Sequence, residues 1–514
     1  MAQPEFKEYT TKHGEVMLYT GTPDCSKLDL LATGPGDLWH SSFEQGYKNA
    51  FTDIVFFTAT FWWYVNDFDN LEECVSWRIN PDAFVIRKKV WEQLDGFDPV
   101  YGSSLMQALD FGYNGLRVSG MVPLYVKGLY KEEHKANLHI STLDRYLFYR
   151  RNFKTDHSLY MLFRKGFWKL SEWKGFFTAR KQTDFTSKHP VVTPRNLKEI
   201  KGNPTVSYII PTMLRQKFTL KLMEDIALQT YLPKEVVIVD ATPEKERDES
   251  LYQKKFPFKV IVKWQTTKGS CRARNEAIDL CTGDYIIFGD DDIRILPDFI
   301  ENHIALLQTY NAIACNGLDV MAEHLKQNLT DLKSRLDAMG EQRWIVGATR
   351  NFSNANSCVR RDYVNLLKGN DINYDGGYGE DGDFGLSLVK WGATVLYNPF
   401  SANLHLKPLT GGYRWWGTQA KILGKKRKQQ PWELDSPVKW IRPVPSPTIM
   451  YLFYKHYTER QRTEYKYKYF FLYLFKKNKW TLPLRILKTP FKLLQFKKSQ
   501  FYAKKLMELG IRHK

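Results

Sequence analysis

The clearest hydrophobic pattern in the chain begins at Val206. There the apolar run V-S-Y-I-I meets a Pro-Thr turn and gives way to a helical spacing with Leu222, Met223, Ile226 and Ala227 on one face. Further apolar runs stand at 236–240 (V-V-I-V-D), 260–263 (V-I-V-K) and 285–288 (Y-I-I-F). Between the last two, the spacing predicts a helix capped by Ser270 with Ala273, Ala277 and Cys281 turned inward. Short apolar runs alternating with helical periods predict a parallel, doubly wound α/β sheet. Ligands of such sheets bind beyond the carboxyl ends of the strands, which here carry Pro211-Thr212, Asp240 and Asp290-Asp291-Asp292.

Part of this pattern is repeated upstream. Cys358-Val-Arg-Arg leads to Tyr378-Gly379-Glu380-Asp381 and Gly392, and Phe84-Val-Ile-Arg leads to Tyr101-Gly102-Ser103-Ser104 and Gly115, with the same spacing of 14 from the Tyr to the last Gly. Ala50-Phe-Thr-Asp-Ile-Val-Phe-Phe likewise echoes Leu280-Cys-Thr-Gly-Asp-Tyr-Ile-Ile-Phe, with Ala59, Thr60 and Phe61 where the three aspartates stand. We read residues 1–129 as a shortened duplicate stripped of its acids; the alternative is a chance match of two helix-entry patterns. Residues 130–203 read as an aromatic and basic bridging segment, 204–408 as the main α/β domain and 409–514 as a basic, mainly helical C-terminal region.

Composition sharpens the last assignment. The chain has 514 residues, enough for roughly three domains, and 43% hydrophobic against 25% charged residues excludes wholesale disorder. Its net charge of +19 is concentrated: residues 408–514 hold 25 Lys and Arg against 5 Asp and Glu, whereas residues 1–407 hold 50 against 51. The C-terminal region includes Lys425-Lys426-Arg427-Lys428 and an aromatic run from Tyr465. It also has a Leu484, Leu487, Phe491, Leu494 stripe flanked by Lys488, Lys492 and Lys497, with Pro490 expected to kink any helix there. That is the pattern of an interfacial segment. Charge alone leaves nucleic acid, an anionic membrane and an acidic polymer open as partners.

Six scattered cysteines without a C-x-x-C pair give neither a zinc site nor a disulfide framework. The N-terminus has no apolar leader core, and the most apolar stretch, 51–65, is short and contains Asp53. The expectation is a cytoplasmic protein that touches the inner membrane face without crossing it.

Three consecutive aspartates after an apolar strand repel one another unless a cation lies between them, and hard carboxylate oxygens suit magnesium or manganese. By itself an Asp-rich turn is more often a solvated loop. The surrounding runs narrow the choice. V-S-Y-I-I-P-T, V-V-I-V-D-A-T, G-S-C-R-A-R-N-E-A-I and G-D-Y-I-I-F-G-D-D-D-I-R-I-L-P-D occur in this order, followed by N-S-C-V-R-R and G-Y-G-E-D-G-D-F-G. In these motifs residues 206–408 resemble family 2 glycosyltransferases of the GT-A fold, a Rossmann-like α/β architecture of nucleotide-diphospho-sugar transferases.

The resemblance implies a metal-dependent, inverting hexosyltransferase acting on a nucleotide-sugar donor, a UDP-sugar by the commonest family usage, and a saccharide or lipid-linked acceptor. It implies donor contacts from Pro211, Thr212, Arg215, Asp240, Gly269, Arg274, Asp290 and Asp291, with Pro211, Thr212 and Asp240 at the base. Asp292 would be the main metal carboxylate of the DxD motif, with Asp290 and His405 as further ligands. Asp381 would be the general base and Glu380 its support, although acids at a helix start are also favoured by the helix dipole alone. Such a transfer needs a base at the incoming hydroxyl and a cation on the leaving diphosphate, and each acidic cluster suits one task. Gly411-Gly412-Tyr413-Arg414-Trp415-Trp416 resembles a segment that closes over the site.

The chain departs from the family pattern at Gly289-Asp-Asp-Asp, which leaves the role of each aspartate uncertain by one position. The upstream copy, with Ser103-Ser104 for Glu-Asp, should be catalytically dead, serving packing, dimerisation or glycan holding. Two other classes compete. One is a non-catalytic glycan-binding scaffold. The other is single-strand nucleic-acid binding through the 21 aromatics between Tyr413 and Tyr502, which the membrane reading makes the less favoured partner.

Overall fold

The computed structural model describes residues 4–52, 66–131, 138–182, 190–349, 351–413, 441–475 and 478–514. The Ala59–Phe61 echo, most of the apolar 51–65 stretch, the 425–428 basic run and Arg414-Trp415-Trp416 lie outside the described residues.

Two sheets organise the chain. The first holds β1 (Lys7–Thr10), β2 (Val16–Tyr19), β3 (Leu38–His40), β4 (Glu73–Val75), β5 (Phe84–Arg87) and β6 (Pro123–Val126) in the order β1-β2-β5-β3-β6-β4. Helices α1 (Leu28–Thr33), α2 (Lys88–Gln93) and α3 (Ser104–Asn114) lie between its strands in sequence. Its core is aromatic: Trp39, Trp77 and Tyr113 are fully buried, the last two edge to face at 5.4 Å. The bridging segment forms α4 (Thr142–Asn152), α5 (Thr155–Gly166) and α6 (Leu170–Lys181), after which residues 190–205 run without regular structure to the second sheet.

That sheet contains β7 (Val206–Thr212), β8 (Glu235–Asp240), β9 (Lys259–Trp264), β10 (Tyr285–Gly289), β11 (Ile293–Ile295), β12 (Ala314–Met321), β13 (Asn356–Arg360) and β14 (Val395–His405), ordered β11-β14-β12-β13-β10-β7-β8-β9. Its helices are α7 (Gln216–Ala227), α8 (Ser270–Ile278), α9 (Phe299–Thr309), α10 (Leu329–Ala338), α11 (Arg361–Leu367) and α12 (Glu380–Lys390). Every residue of β7 and β8 is buried, as their unbroken apolar runs require of strands covered on both faces. Strands β10, β7, β8 and β9 are mutually parallel in that order, as expected. The whole sheet is mixed rather than parallel, because β13 runs antiparallel to β10 and β12, and β11 to β14. A buried apolar run looks the same in either direction, so the sequence pattern does not carry this reversal.

A second correction concerns α8. Ser270 opens the helix but does not cap it; the N-cap is Gly269, without a side-chain bond. The Asp375 carboxylate instead accepts from the Cys271 backbone N–H at 2.7 Å. A Cβ on Gly269 would lie 2.2 Å from Asp375 Oδ2, so this close approach requires glycine.

The C-terminal region folds as α13 (Pro447–His456), α14 (Glu459–Phe475) and α15 (Leu482–Glu508), the last continuing through Pro490. It is not a loose tail. The Tyr451 hydroxyl donates to Asp371 Oδ2 at 2.7 Å, Lys455 and His456 hold the two oxygens of buried Asp383 at 2.9 and 2.7 Å, and Arg512 Nε donates to Asn373 Oδ1 at 2.8 Å. These contacts brace α12, which carries Glu380 and Asp381. All six cysteines are free, and no helix among the described residues is long and apolar enough to cross a membrane.

Candidate active site

The carboxyl ends of β7 and β10, the start of α12 and the end of β14 surround a cavity of about 330 Å³. Its walls carry Pro211, Arg215, Arg274, the three aspartates, Glu380-Asp381 and His405, brought together from segments nearly 200 residues apart. A pocket of this size at the strand ends of an α/β sheet is where a small-molecule ligand is accommodated.

One side of the cavity is an acidic turn held by cations. Ligand atoms of Asp290, Asp292 and His405 lie within 4.8 Å of one another. His405 directs Nε2 to Asp292 Oδ1 at 3.2 Å and Nδ1 to Asp319 Oδ2 at 3.1 Å, so a carboxylate fixes the ring from behind while the other nitrogen faces the cluster. Two carboxylates and an imidazole fit manganese at least as well as magnesium, because imidazole is the softer ligand. Asp291 points elsewhere: it accepts from the Thr212 hydroxyl at 2.7 Å and from Arg215 Nη1 at 3.1 Å. Burial and the neighbouring Asp292 charge push the Asp291 carboxyl up, with Arg215 opposing them. Burial also works against the Asp292 carboxylate, yet the His405 hydrogen bond and the His405 and Arg215 charges hold its pKa below the usual range.

Arg215 has a second function. Its Nε and Nη2 donate to the Thr410 and Pro408 carbonyls at 3.0 Å each, tying the segment after β14 to the acidic turn. Gly411 and Gly412 adopt φ of +74° and +78°, and Tyr413 behind them donates to Gln265 Oε1 at 3.2 Å.

Across the cavity stands α12. Gly379, at φ +109°, is its N-cap, a left-handed position suited to glycine, and it presents Glu380 and Asp381 at the helix start. Asp381 Oδ1 accepts from the backbone and side-chain amides of Asn354, at 3.2 and 2.5 Å. Burial and the adjacent Glu380 charge raise its pKa to about 7, although Arg274 opposes them. A carboxyl poised there exchanges protons near neutral pH, as a general base requires. Arg274 links the two sides: its Nη2 donates to Asp290 Oδ1 at 2.6 Å, and its buried Nε has no hydrogen-bond partner among the described residues.

Three expected donor residues sit outside the open cavity. Asp240 is fully buried, with its oxygens accepting from the Thr242 backbone N–H at 2.8 Å and the Tyr252 hydroxyl at 2.9 Å. Thr212 is buried with its hydroxyl bonded to Asp291, and Gly269 lies behind Ser270, which does line the wall. The sequence reading missed Asn354 and Asp319. Asp319 left a trace, being an acid inside the apolar strand β12, where a charge needs a partner; Asn354, in a loop, left none.

An acidic turn with an imidazole beside it thus faces a buried carboxyl across one cavity at the strand ends of an α/β sheet. Residues 207–367 match the family model "Glycosyl transferase family 2", and the matched segment contributes β7 to β13 of the mixed α/β sheet. The chain is similar to the poly(ribitol-phosphate) beta-glucosyltransferase of Bacillus spizizenii, 31% identical over 127 residues, covering 24% of this chain and 19% of that protein. It is also similar to the glycosyltransferase YwdF of Bacillus subtilis, 30% identical over 104 residues, covering 20% and 38%. The chain thus spans well under half the length of these relatives. Among solved structures, residues 1–349 of TarS from S. aureus align at 19% identity and a TM-score of 0.30, covering 40% of this chain and 61% of that one.

Proposed function

We propose that the chain is a metal-dependent, inverting glycosyltransferase. It moves a sugar from a nucleoside-diphosphate donor, a UDP-sugar, to a hydroxyl of a saccharide or lipid-linked acceptor in cell-surface polysaccharide synthesis. The observation that carries this reading is one cavity holding two separate acidic groups, Asp290–Asp292–His405 on one side and Asp381 on the other.

In the reaction, Asp381 takes the proton of the acceptor hydroxyl as that oxygen bonds to the anomeric carbon, and the bond from this carbon to the diphosphate oxygen breaks. Attack on the face opposite the leaving group inverts the anomeric configuration. Asp290, Asp292 and His405 would hold a divalent cation, manganese or magnesium, whose charge stabilises a departing diphosphate. Arg274 adds a fixed positive charge beside Asp290. Asn354 keeps the Asp381 carboxylate oriented. The basic C-terminal helices hold the protein at the inner face of the membrane, where a lipid-linked acceptor is presented.

The test is nucleotide release from UDP-sugars with manganese. Asp381→Asn should keep metal-dependent nucleotide binding and lose transfer. Unchanged transfer would remove Asp381 from the base role.

A further inference from the structure

The bridging helices and the C-terminal helices meet on one surface. Phe163 and Phe167 on α5 and its end stack at 6.2 Å, and Phe163 packs against Phe471 of α14 at 5.6 Å, which in turn meets Phe475 at 4.9 Å. The junction is locked beneath by Arg164 and Tyr160, both donating to Glu464. Beyond it, α14 reaches α15 through the Tyr473 hydroxyl, which donates to the Arg485 carbonyl at 3.4 Å.

Along this surface large apolar side chains face outward. Trp168 is 71% and Leu170 85% exposed, with Phe163, Phe167 and Phe177 about half exposed. On the other side of the junction Trp480 is 91% and Leu487 79% exposed, beside exposed Leu484, Phe491 and Leu494. An exposed apolar patch of this extent on a folded chain marks an interaction surface.

The charge on both segments has one sign. Between Ser158 and Lys181 there are six Lys and Arg and a single acid, Glu172, which is buried against Arg145. Between Tyr465 and Met507 there is no acid at all. Exposed Lys169, Lys174, Lys488 and Lys497 lie among the apolar residues. Trp and Lys at the margin of leucine and phenylalanine are the signature of insertion into a headgroup boundary. The leucines decide between anionic partners: bases stack on aromatic rings, but aliphatic side chains such as Leu170, Leu484 and Leu487 have no counterpart on a nucleic acid.

We propose that α5, α6, α14 and α15 form one composite docking surface for an anionic lipid bilayer, in which the bridging helices insert Trp168 and Leu170 alongside the C-terminal stripe. This rests on the membrane reading above and extends it to residues 163–177. Because α13, on the same C-terminal assembly, braces the helix carrying Asp381, docking fixes the active site relative to the lipid surface.

The experiment is cosedimentation of the full chain with phosphatidylcholine vesicles, with and without phosphatidylglycerol, for wild type, Trp168→Glu/Leu170→Glu and Leu487→Glu/Phe491→Glu. All four positions are exposed, and nucleotide-induced stabilisation with manganese checks that each variant keeps its fold and donor site. The proposal expects wild type to bind the anionic vesicles, less at high salt, and each double variant to lose about tenfold or more in affinity. If only the C-terminal variant loses binding, the composite surface is overturned and the C-terminal anchor stands. If neither does, or if wild type prefers single-stranded RNA to anionic vesicles, both fall.

Discussion

Five neighbouring strands of the N-terminal sheet, β4-β6-β3-β5-β2, and five of the C-terminal sheet, β11-β14-β12-β13-β10, pair in the same relative directions, but the chain visits them differently: β4 follows β3, whereas β11 precedes β12. In each, a strand (β5 or β13) leads through a short helix to a second helix (α3 or α12) and then to a strand (β6 or β14) in the parallel partner position. The sheets part company beyond β2 and β10. There the C-terminal sheet adds the parallel strands β7, β8 and β9, and the N-terminal sheet only the antiparallel β1. The N-terminal sheet thus pairs its strands as the sheet around β13 and β14 does, and among the described residues it has no parallel strand in the place of β7, which carries Pro211 and Thr212. At the helix start corresponding to Glu380-Asp381, Ser103 caps its own helix by accepting from the Met106 N–H at 3.2 Å.

The largest expected effect breaks this comparison at the base. Asp381→Asn should lower turnover about 10²- to 10⁴-fold, the usual weight of a general base, and adding Ser104→Asp should restore none of it. Rescue by the serine position would mean that the N-terminal copy has a working site of its own.

Next in size is the Asp319 carboxylate behind His405, the imidazole of the proposed metal site. Asp319 orients His405 and is itself held by Asn403 Nδ2 at 2.7 Å. Asp319→Asn should weaken manganese binding about 10- to 100-fold, read by calorimetry without donor or acceptor. Unchanged affinity would show that Asp319 does not position a ligand.

A smaller effect follows from the Asp381 environment. The base works ionised, so kcat/KM should fall as pH drops through about 7, where burial and Glu380 have raised its pKa. Asn354 bonds the charged form, so Asn354→Ala should move that limb to higher pH. A limb that stays put or moves down would separate the acid limb from Asp381.

The smallest effect lies in the N-terminal sheet. Ser104→Asp places an acid in the first turn of α3 at an exposed position and should stabilise the protein by about 0.3–1 kcal/mol without changing turnover. Denaturant titration measures it.

The parts of this comparison legible in the sequence are those with local signals. Strands β7, β8 and β10 showed as uninterrupted apolar runs because they are buried on both faces, and the acid clusters stood at their ends. The 14-residue spacing from Tyr101 and Tyr378 gave the shared helix and the strand after it. Pairing direction was not legible, so the reversal of β13 emerged only in the sheet. Tertiary support was hidden as well. Asp375 caps α8 from 104 positions away, and Lys455 and His456 brace Asp383 from over 70. Removing the chain beyond Pro408 would therefore strip these partners from the buried Asp383 carboxylate.

The account's central claim is that the donor site lies in the C-terminal sheet and depends on its aspartate turn. It is tested most directly by thermal unfolding of wild type and Asp292→Ala with a nucleoside-diphosphate panel, with and without manganese. A ligand of the folded state at about 100 times its Kd adds about 2.7 kcal/mol of stability. The account predicts a rise with UDP that requires manganese and disappears in Asp292→Ala. No rise with any nucleotide, or an equal rise in the variant, would contradict it.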